Sequence, residues 1–302
     1  MSAHVAILMG GWSAEREISL VSGRACAKAL SGQGYRVSEI DVGRDLADVL
    51  LRLKPDVAFN ALHGRWGEDG CVQGLLEVLG LPYTHSGVRA SANAMHKPTA
   101  KELFRQAGLA CAEGITISLD EARRAIPLAP PYVLKPPAEG STVGVRVIRP
   151  GDNVDPLAGW RFGDELMVER YVPGRELSVA VMDGRALGVI EIEPLSGLYD
   201  YEAKYTDGMA MHYMPARIQG DIYERAMRWA ESAHVALGCR GVSRSDFRYD
   251  DSEGVGAGLY ILETNTQPGM TPLSLVPEIA AHEGIGFEVL VRWILEDAGC
   301  DR

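Results

Sequence analysis

The sequence predicts an α/β protein in which an N-terminal parallel sheet is followed by an α+β part built on short β segments. Two observations predict it. Over about the first ninety residues, strand-length apolar runs alternate with helix-spaced ones, the pattern of βαβ units. Beyond Ala94 the apolar runs shorten and are separated by Gly- and Pro-rich loops, with a hairpin signal at Asp183-Gly184.

Val5-Ala6-Ile7-Leu8-Met9 reads as a buried strand and Gly10-Gly11-Trp12-Ser13 as the loop after it. Ile18, Val21, Ala25 and Ala29 recur at helical spacing. Asp56 to Leu62 is a second strand, leading into a Gly-rich loop and a helix from about Val72 to Leu79. Pro98 to Ala107 is predicted as an amphipathic helix with proline in its first turn. Tyr132–Lys135, Val143–Ile148 and Glu165–Val172 follow as β segments, then the hairpin arms Leu177–Met182 and Ala186–Ile192. Pro194 to Pro215 is polar, Tyr-rich and aperiodic, as functional loops are. Asp221–Leu237 reads as a long helix, Gly241–Asp250 and Leu259–Thr264 as paired strands, and Gly286–Glu296 as a closing helix.

A net charge of -11 leaves no basic surplus for nucleic acid, although a few local lysines can still serve a small anion. The longest apolar stretches are strand-length, which excludes a membrane-spanning helix. The N-terminus lacks a basic segment and a cleavage site, so the cytoplasm is the expected location. Cys26, Cys71, Cys111, Cys239 and Cys300 are scattered, with no CxxC pair; a disulfide framework and a structural zinc site are both disfavoured.

The densest chemistry lies in the last third. Period two puts Arg244 and Asp246 on one strand face and Glu263 and Asn265 on another. If the strands pair antiparallel, two carboxylates and an amide oxygen converge, a hard oxygen set suited to Mg²⁺ carried by a nucleotide. Arg244 then stands ready for developing negative charge; the plainer alternative is a solvated sheet face with an ordinary ion pair. In the turn Thr266–Leu275, backbone amides and Ser274 could hold a carboxylate, or Ser274 could simply cap a helix. Glu139-Gly140-Ser141-Thr142-Val143-Gly144 permits close approach of phosphate, although it is no Walker loop. Lys97 and Lys135 could act there as point charges. The loops Gly10–Glu15 and His63–Gly70 follow strand ends, where open α/β sheets bind ligands. Glu15 could take a substrate ammonium, or merely favour a helix N-terminus.

In this order and spacing, Gly10-Gly11-Trp12-Ser13-Ala14-Glu15, Leu62-His63-Gly64, Gly67-Glu68-Asp69-Gly70, Lys135-Pro136, Glu139-Gly140-Ser141, Tyr199-Asp200-Tyr201-Glu202-Ala203-Lys204-Tyr205, Arg244-Ser245-Asp246 and Glu263–Thr271 resemble the D-alanine–D-alanine ligase family, over nearly the whole chain. The resemblance implies an ATP-grasp fold with an N-terminal Rossmann-like domain, divided at residues 1–94, 95–178 and 179–302, the segment 194–215 serving as lid. It implies ATP as substrate, ligation of two D-alanine molecules through an acyl phosphate, and a part in peptidoglycan precursor synthesis. Glu15 would bind the first D-alanine ammonium and form a hydrogen-bonded set with Ser141 and Tyr205. Lys97, Lys135 and Lys204 would meet the phosphates, with Glu169, Val172 and Glu176 at the adenine and ribose ends. Asp246, Glu263 and Asn265 would bind two Mg²⁺, or Mn²⁺ in its place; the need for a monovalent cation is left open. Arg244 and the Gly269 amide would stabilise the oxyanion, and His63, Ser274 and Leu275 would line the substrate site. A homodimer is the assembly the resemblance implies.

Two departures stand out: His96 where the family often has Asp, and Thr264 where it usually has an apolar residue or Ala. Rival readings are a D-alanyl-D-lactate ligase, which Tyr205 disfavours by resemblance, another ATP-grasp carboxylate–amine ligase, and a non-catalytic nucleotide-binding descendant.

Overall fold

The structure is a computed structural model that describes residues 3–140, 142–194, 209–252 and 258–300. Strands β1 (His4–Met9), β2 (Arg36–Asp41) and β3 (Val57–Asn60) form a parallel sheet in the order β2-β1-β3. Helices α1 (Arg16–Gly32), α2 (Leu46–Leu53) and α3 (Cys71–Leu79) alternate with them. β1 is buried on both faces: Val5 and Ile7 pack with Cys26 and Leu30, while Ala6 and Leu8 pack with Leu46 and Leu76. A strand covered on both sides must be apolar at every position, which is why its run is continuous.

The buried face of α1 differs from the predicted one. Ser19, Leu20, Ser22, Gly23, Cys26, Ala27, Ala29 and Leu30 face inward, whereas Val21 is 44% exposed. Small residues win because the helix lies close on β1, where a Cβ on Gly23 would come within 2.5 Å of Met9 Cβ. The inward hydroxyls are satisfied: Ser19 Oγ donates to Ala61 O at 2.8 Å and accepts from Gly10 N at 2.8 Å.

Helices α4 (Val88–Met95) and α5 (Lys97–Gln106) lead out of this unit. His96 caps α5, its Nδ1 meeting Thr99 Oγ1 at 2.7 Å and accepting from Thr99 N at 3.4 Å, so an imidazole nitrogen does the capping an Asp could do. β4 (Gly114–Ser118), β5 (Tyr132–Lys135), β6 (Arg146–Ile148) and β7 (Glu165–Arg170) form an antiparallel sheet in the order β4-β7-β5-β6, with α6 (Leu119–Arg124) on β4. The strand predicted from Val143 starts only at Arg146. Residues before it turn instead, with Val145 N on Thr142 O and Gly144 at φ +75°.

A second antiparallel sheet has the order β10-β9-β8-β11-β12, from β8 (Arg175–Met182), β9 (Arg185–Pro194), β10 (Ala210–Tyr213), β11 (Val242–Tyr249) and β12 (Leu259–Asn265). The hairpin forms as predicted, with Asp183 at φ 52° and Gly184 at φ 71°, the positive values a two-residue turn demands. On one face lies α7 (Gly220–Leu237), through Ile222, Ala226, Ala230, Ala233 and Leu237. On the other lies α8 (Leu275–His282), while α9 (Phe287–Glu296) returns to pack on α1. One apolar core therefore runs from the parallel sheet into the second antiparallel sheet. All five cysteines are free thiols.

Candidate active site

The two antiparallel sheets face each other across a cleft of about 910 Å³, open mouth included, lined among others by Lys97, Lys135, Glu169, Val172, Glu176, Asp246, Arg248 and Glu263. A smaller recess runs from it toward the parallel sheet, lined by Glu68, Lys97, Gly140, Glu263 and Asn265. Lys97 and Glu263 belong to both, so the two spaces adjoin at one ammonium and one carboxylate.

β11 and β12 pair antiparallel with Arg244 opposite Asn265 and Asp246 opposite Glu263, so the four side chains share one face as period two predicts. Arg244 forks onto Asp246, Nε to Oδ1 at 2.8 Å and NH2 to Oδ2 at 2.7 Å, and Ser178 Oγ adds a bond to Oδ1 at 2.6 Å. Asn265 Oδ1 accepts from Gln267 N at 2.8 Å, which orients the amide and leaves a second lone pair. Thr264 lies on the other face, its hydroxyl 2.8 Å from Ser245 Oγ, away from the carboxylates as expected. Among the described residues no three His, Cys, Asp or Glu side chains gather as a complete metal cage. Two carboxylates and an amide oxygen suit Mg²⁺ only if phosphate and water complete the shell.

The lysines come from different elements. Lys97 opens α5; its ammonium donates to Glu139 O at 2.5 Å and lies 3.6 Å from Glu263 Oε2. Burial, with repulsion from Lys135, lowers its pKa despite Glu263. Lys135 ends β5 and contacts Glu169 Oε2 at 2.7 Å. The other Glu169 oxygen is taken by Lys101 at 2.5 Å, in a triad that is almost wholly buried. Burial works against the Glu169 carboxylate, but Lys135 and Lys101 outweigh it and hold its pKa below the usual range. Lys101 itself is brought down to about 8 by burial and by Lys135. The structure thus places Glu169 between two ammonium groups, a contact absent from the sequence reading.

Lys101 was missed because a lone helix lysine reads as solvated. The available signal was its i,i+4 spacing from Lys97 on one helix face. Arg248 was missed too, although it continues the 244–246 alternation on β11.

Glu15 sits at the N-terminus of α1 without capping it; its side chain is buried between Gly64 and Gly140. A Cβ at Gly140 would overlap Glu15 Oε2 and push that carboxylate aside, so this glycine leaves the space the Glu15 side chain occupies. His63 is a buried core histidine, its Nδ1 3.0 Å from Glu68 Oε1 and its Nε2 3.1 Å from Ser22 Oγ. Burial opposes its charge, but the hydrogen bond and charge of Glu68, with Glu15 behind, raise its pKa.

Ser274 stands at the N-terminus of α8, accepting from Thr271 N at 2.9 Å and facing Thr271 Oγ1 at 2.8 Å. A Cβ on Gly269 would come within 2.8 Å of Ser274 Oγ, which brings the Gly269 backbone and that hydroxyl together. Leu275, the next residue, is buried. Gln267 ties this turn to the parallel sheet, bonding Asn60 Nδ2 and Leu62 O. Ser141, Lys204 and Tyr205 lie outside the described residues.

A cleft with two buried lysines and a hard oxygen cluster, joined to a recess lined by Glu68 and Gly140, the neighbours of His63 and Glu15, has the features of a phosphate-transferring ligase site. The family profile described as D-ala D-ala ligase C-terminus matches residues 103–296, and the one described as D-ala D-ala ligase N-terminus matches residues 43–86. A D-alanine–D-alanine ligase of Parvibaculum lavamentivorans is 59% identical, covering 99% of this chain and 98% of its own. A crystal structure of D-alanine–D-alanine ligase from Bacillus anthracis complexed with ATP aligns with a TM-score of 0.81 at 29% identity, over 98% of this chain and 97% of that one. The VanG D-Ala:D-Ser ligase of Enterococcus faecalis aligns with a TM-score of 0.82 at 27% identity, over 98% and 99%. The chain belongs to the D-alanine–D-alanine ligase family.

Proposed function

We propose that the chain joins two D-alanine molecules into D-alanyl-D-alanine at the expense of ATP, supplying a peptidoglycan precursor. The observation that carries this reading is the junction at Lys97 and Glu263, where the nucleotide cleft meets the recess beside Gly140, against which the Glu15 carboxylate packs. A carboxylate held there stands beside the γ-phosphate of a nucleotide in the cleft.

In this reading the three parts of the chain, 1–94, 95–178 and 179–302, supply substrate loops, nucleotide lysines and metal ligands respectively. Glu15 takes the ammonium of the first D-alanine. The carboxylate oxygen of that D-alanine attacks the γ-phosphorus, the β–γ bridge breaks, and ADP leaves with the bridging electron pair. Lys97 and Lys135 neutralise the charge that builds on the phosphate oxygens, and Glu169, flanked by Lys101, holds Lys135 in place. Val172 and Glu176 line the adenine and ribose end. Asp246, Glu263 and Asn265 would hold Mg²⁺, or Mn²⁺ with the same preference for hard oxygen, which supplies charge neutralisation at the transferring phosphoryl. The second D-alanine, its carboxylate held by Ser274 and the Leu275 backbone, loses an ammonium proton and attacks the activated carbonyl. Arg244 and the Gly269 amide stabilise the oxyanion, and phosphate departs. Acyl phosphates hydrolyse, so a lid is needed; residues 210–213 of the expected loop 194–215 are instead strand β10, paired to β9, which leaves the stretch before it, with Lys204 and Tyr205, as the lid, Tyr205 joining Ser141 and Glu15.

The test is turnover of purified protein with Mg-ATP and D-alanine, L-alanine, or D-alanine plus D-lactate, with products weighed by mass spectrometry. ADP, phosphate and a D-alanyl dipeptide from D-alanine alone are expected. ADP release without dipeptide would assign a different acceptor, and no nucleotide turnover would return the chain to a binding role.

Two variants probe the loops. Gly140→Ala should cost about a hundredfold in kcat/KM, because displacing Glu15 moves the first substrate out of line. Wild-type kinetics there would show that Glu15 does not position substrate. Arg244→Ala should lower kcat by about 10²–10³-fold, the usual loss for one oxyanion donor. A variant that keeps near wild-type kcat would take Arg244 out of the oxyanion site.

A further inference from the structure

The connector from β7 to β8, Tyr171–Gly174, walls the cleft through Tyr171 and Val172, and Glu176 follows in β8. Three groups of this wall converge on one side chain. Arg248 donates from Nε to Val172 O at 3.1 Å, from NH2 to Gly174 O at 2.9 Å and from NH1 to Glu176 Oε2 at 3.4 Å. Its guanidinium carbon also stands 5.9 Å from the centroid of the Tyr171 ring. In the ladder Arg248 is directly opposite Glu176, and it shares its strand face with Arg244 and Asp246. The connector presses against the end of β11: Gly174 has φ +88°, and a Cβ there would overlap the Tyr249 carbonyl.

A guanidinium suits this task because its donors form a planar fork with fixed directions, whereas an ammonium is a single swivelling point. Two of its three acceptors are backbone carbonyls, so the contact sets the course of the main chain and not merely one rotamer. The charge of Glu176 is balanced at the same time.

We propose that Arg248 is a positioning residue for the nucleotide, holding the Tyr171–Glu176 wall so that the Val172 backbone and the Glu176 carboxylate meet the adenine and ribose. This rests on the nucleotide reading of the cleft. Lys97 and Lys135 lie on α5 and β5, and although Asp246 shares β11 with Arg248, the three donors of the Arg248 fork are spent on the wall, so Arg248 acts on nucleotide affinity and leaves the chemical step alone.

The experiment is calorimetric titration of the full chain with ATP and with ADP, for wild type, Arg248→Met and Arg248→Lys, alongside kcat at saturating ATP, KM for D-alanine and the melting temperature. Both nucleotides should weaken by the same factor, roughly tenfold for the loss of charge-assisted bonds, since base and ribose are common to both. The kcat and the KM for D-alanine should keep their wild-type values. Arg248→Lys should behave like Arg248→Met, because charge without the fork does not span three acceptors. Should Arg248→Met fail to fold, Arg248→Gln replaces it beside the lysine variant. Unchanged nucleotide affinity in a folded variant, a loss confined to kcat, or full recovery with lysine would each overturn the proposal. Wild-type protein that binds neither nucleotide would instead overturn the nucleotide reading itself.

Discussion

Glu263→Gln should lower turnover by about 10²–10³-fold, equivalent to a few kcal/mol of transition-state stabilisation at a metal-assisted phosphoryl transfer. The side chain is 26% exposed on the open face of β12, and the ladder to β11 is made by backbone, so the fold should survive. The amide keeps shape and volume but removes the charge opposite Asp246 and the partner of Lys97. Steady-state turnover with varied Mg²⁺, read beside circular dichroism, checks it. The variant should need more Mg²⁺ for half-saturation and remain slow when saturated. A folded variant with wild-type turnover and wild-type Mg²⁺ dependence would remove Glu263 from the metal set.

Glu169→Leu should instead strike stability. The carboxylate is 3% exposed and ion-paired with both Lys101 and Lys135. Its removal strands two buried ammonium groups, and breaking a buried ion pair from one side costs about 3–5 kcal/mol. The deficit should be largest near neutral pH. Lys101 already titrates at about 8 in the intact triad, well under the ordinary lysine value, and loses the Glu169 support in the variant. Between that folded value and the unfolded one, the unfolded chain binds more protons, so the stability of the variant climbs as pH rises through this window. Urea unfolding from pH 7 upward measures it. A variant as stable as wild type at neutral pH, or one that weakens as pH rises, would refute the buried-triad account. At saturating ATP any surviving activity should also fall, because Lys135 would lose the group that orients it.

Much of the site was legible because its chemistry is written in local patterns. The alternation 244–246 and 263–265 needs only strand period two to bring the acids together once the strands pair, and β11 and β12 do pair in that register. The turn at Asp183-Gly184 announces its hairpin through residues that tolerate positive φ. The loops after β1 and β3 follow apolar runs and carry Glu15 and His63, so their place at the end of the parallel sheet was readable too.

Other features were not, because a one-dimensional pattern does not say how close two elements lie. Apolar spacing chose Val21 for the inner face of α1, but near contact with Met9 admits only small residues there, and serine hydroxyls find partners in loop ends from distant segments. Lys101 and Glu169 are 68 positions apart in the chain. Each alone reads as an ordinary charged residue, and only the tertiary approach of α5, packed on β12, to Glu169 of β7 buries them together.

The sequence by itself determined the main alternation of strands and helices, though not β2, α2, β4 or α8, together with the pairing face of the acidic strands and the family to which the chain belongs, since these depend on local spacing and on motif order. Tertiary structure alone decided which charges are buried and neutralised. It joined the cleft between the antiparallel sheets to the recess beside Gly140 at Lys97 and Glu263, and it set Arg248 against the Tyr171–Glu176 wall. Burial and charge pairing are properties of surfaces brought together from remote parts of the chain, and they come into being only when the sheets close on one another.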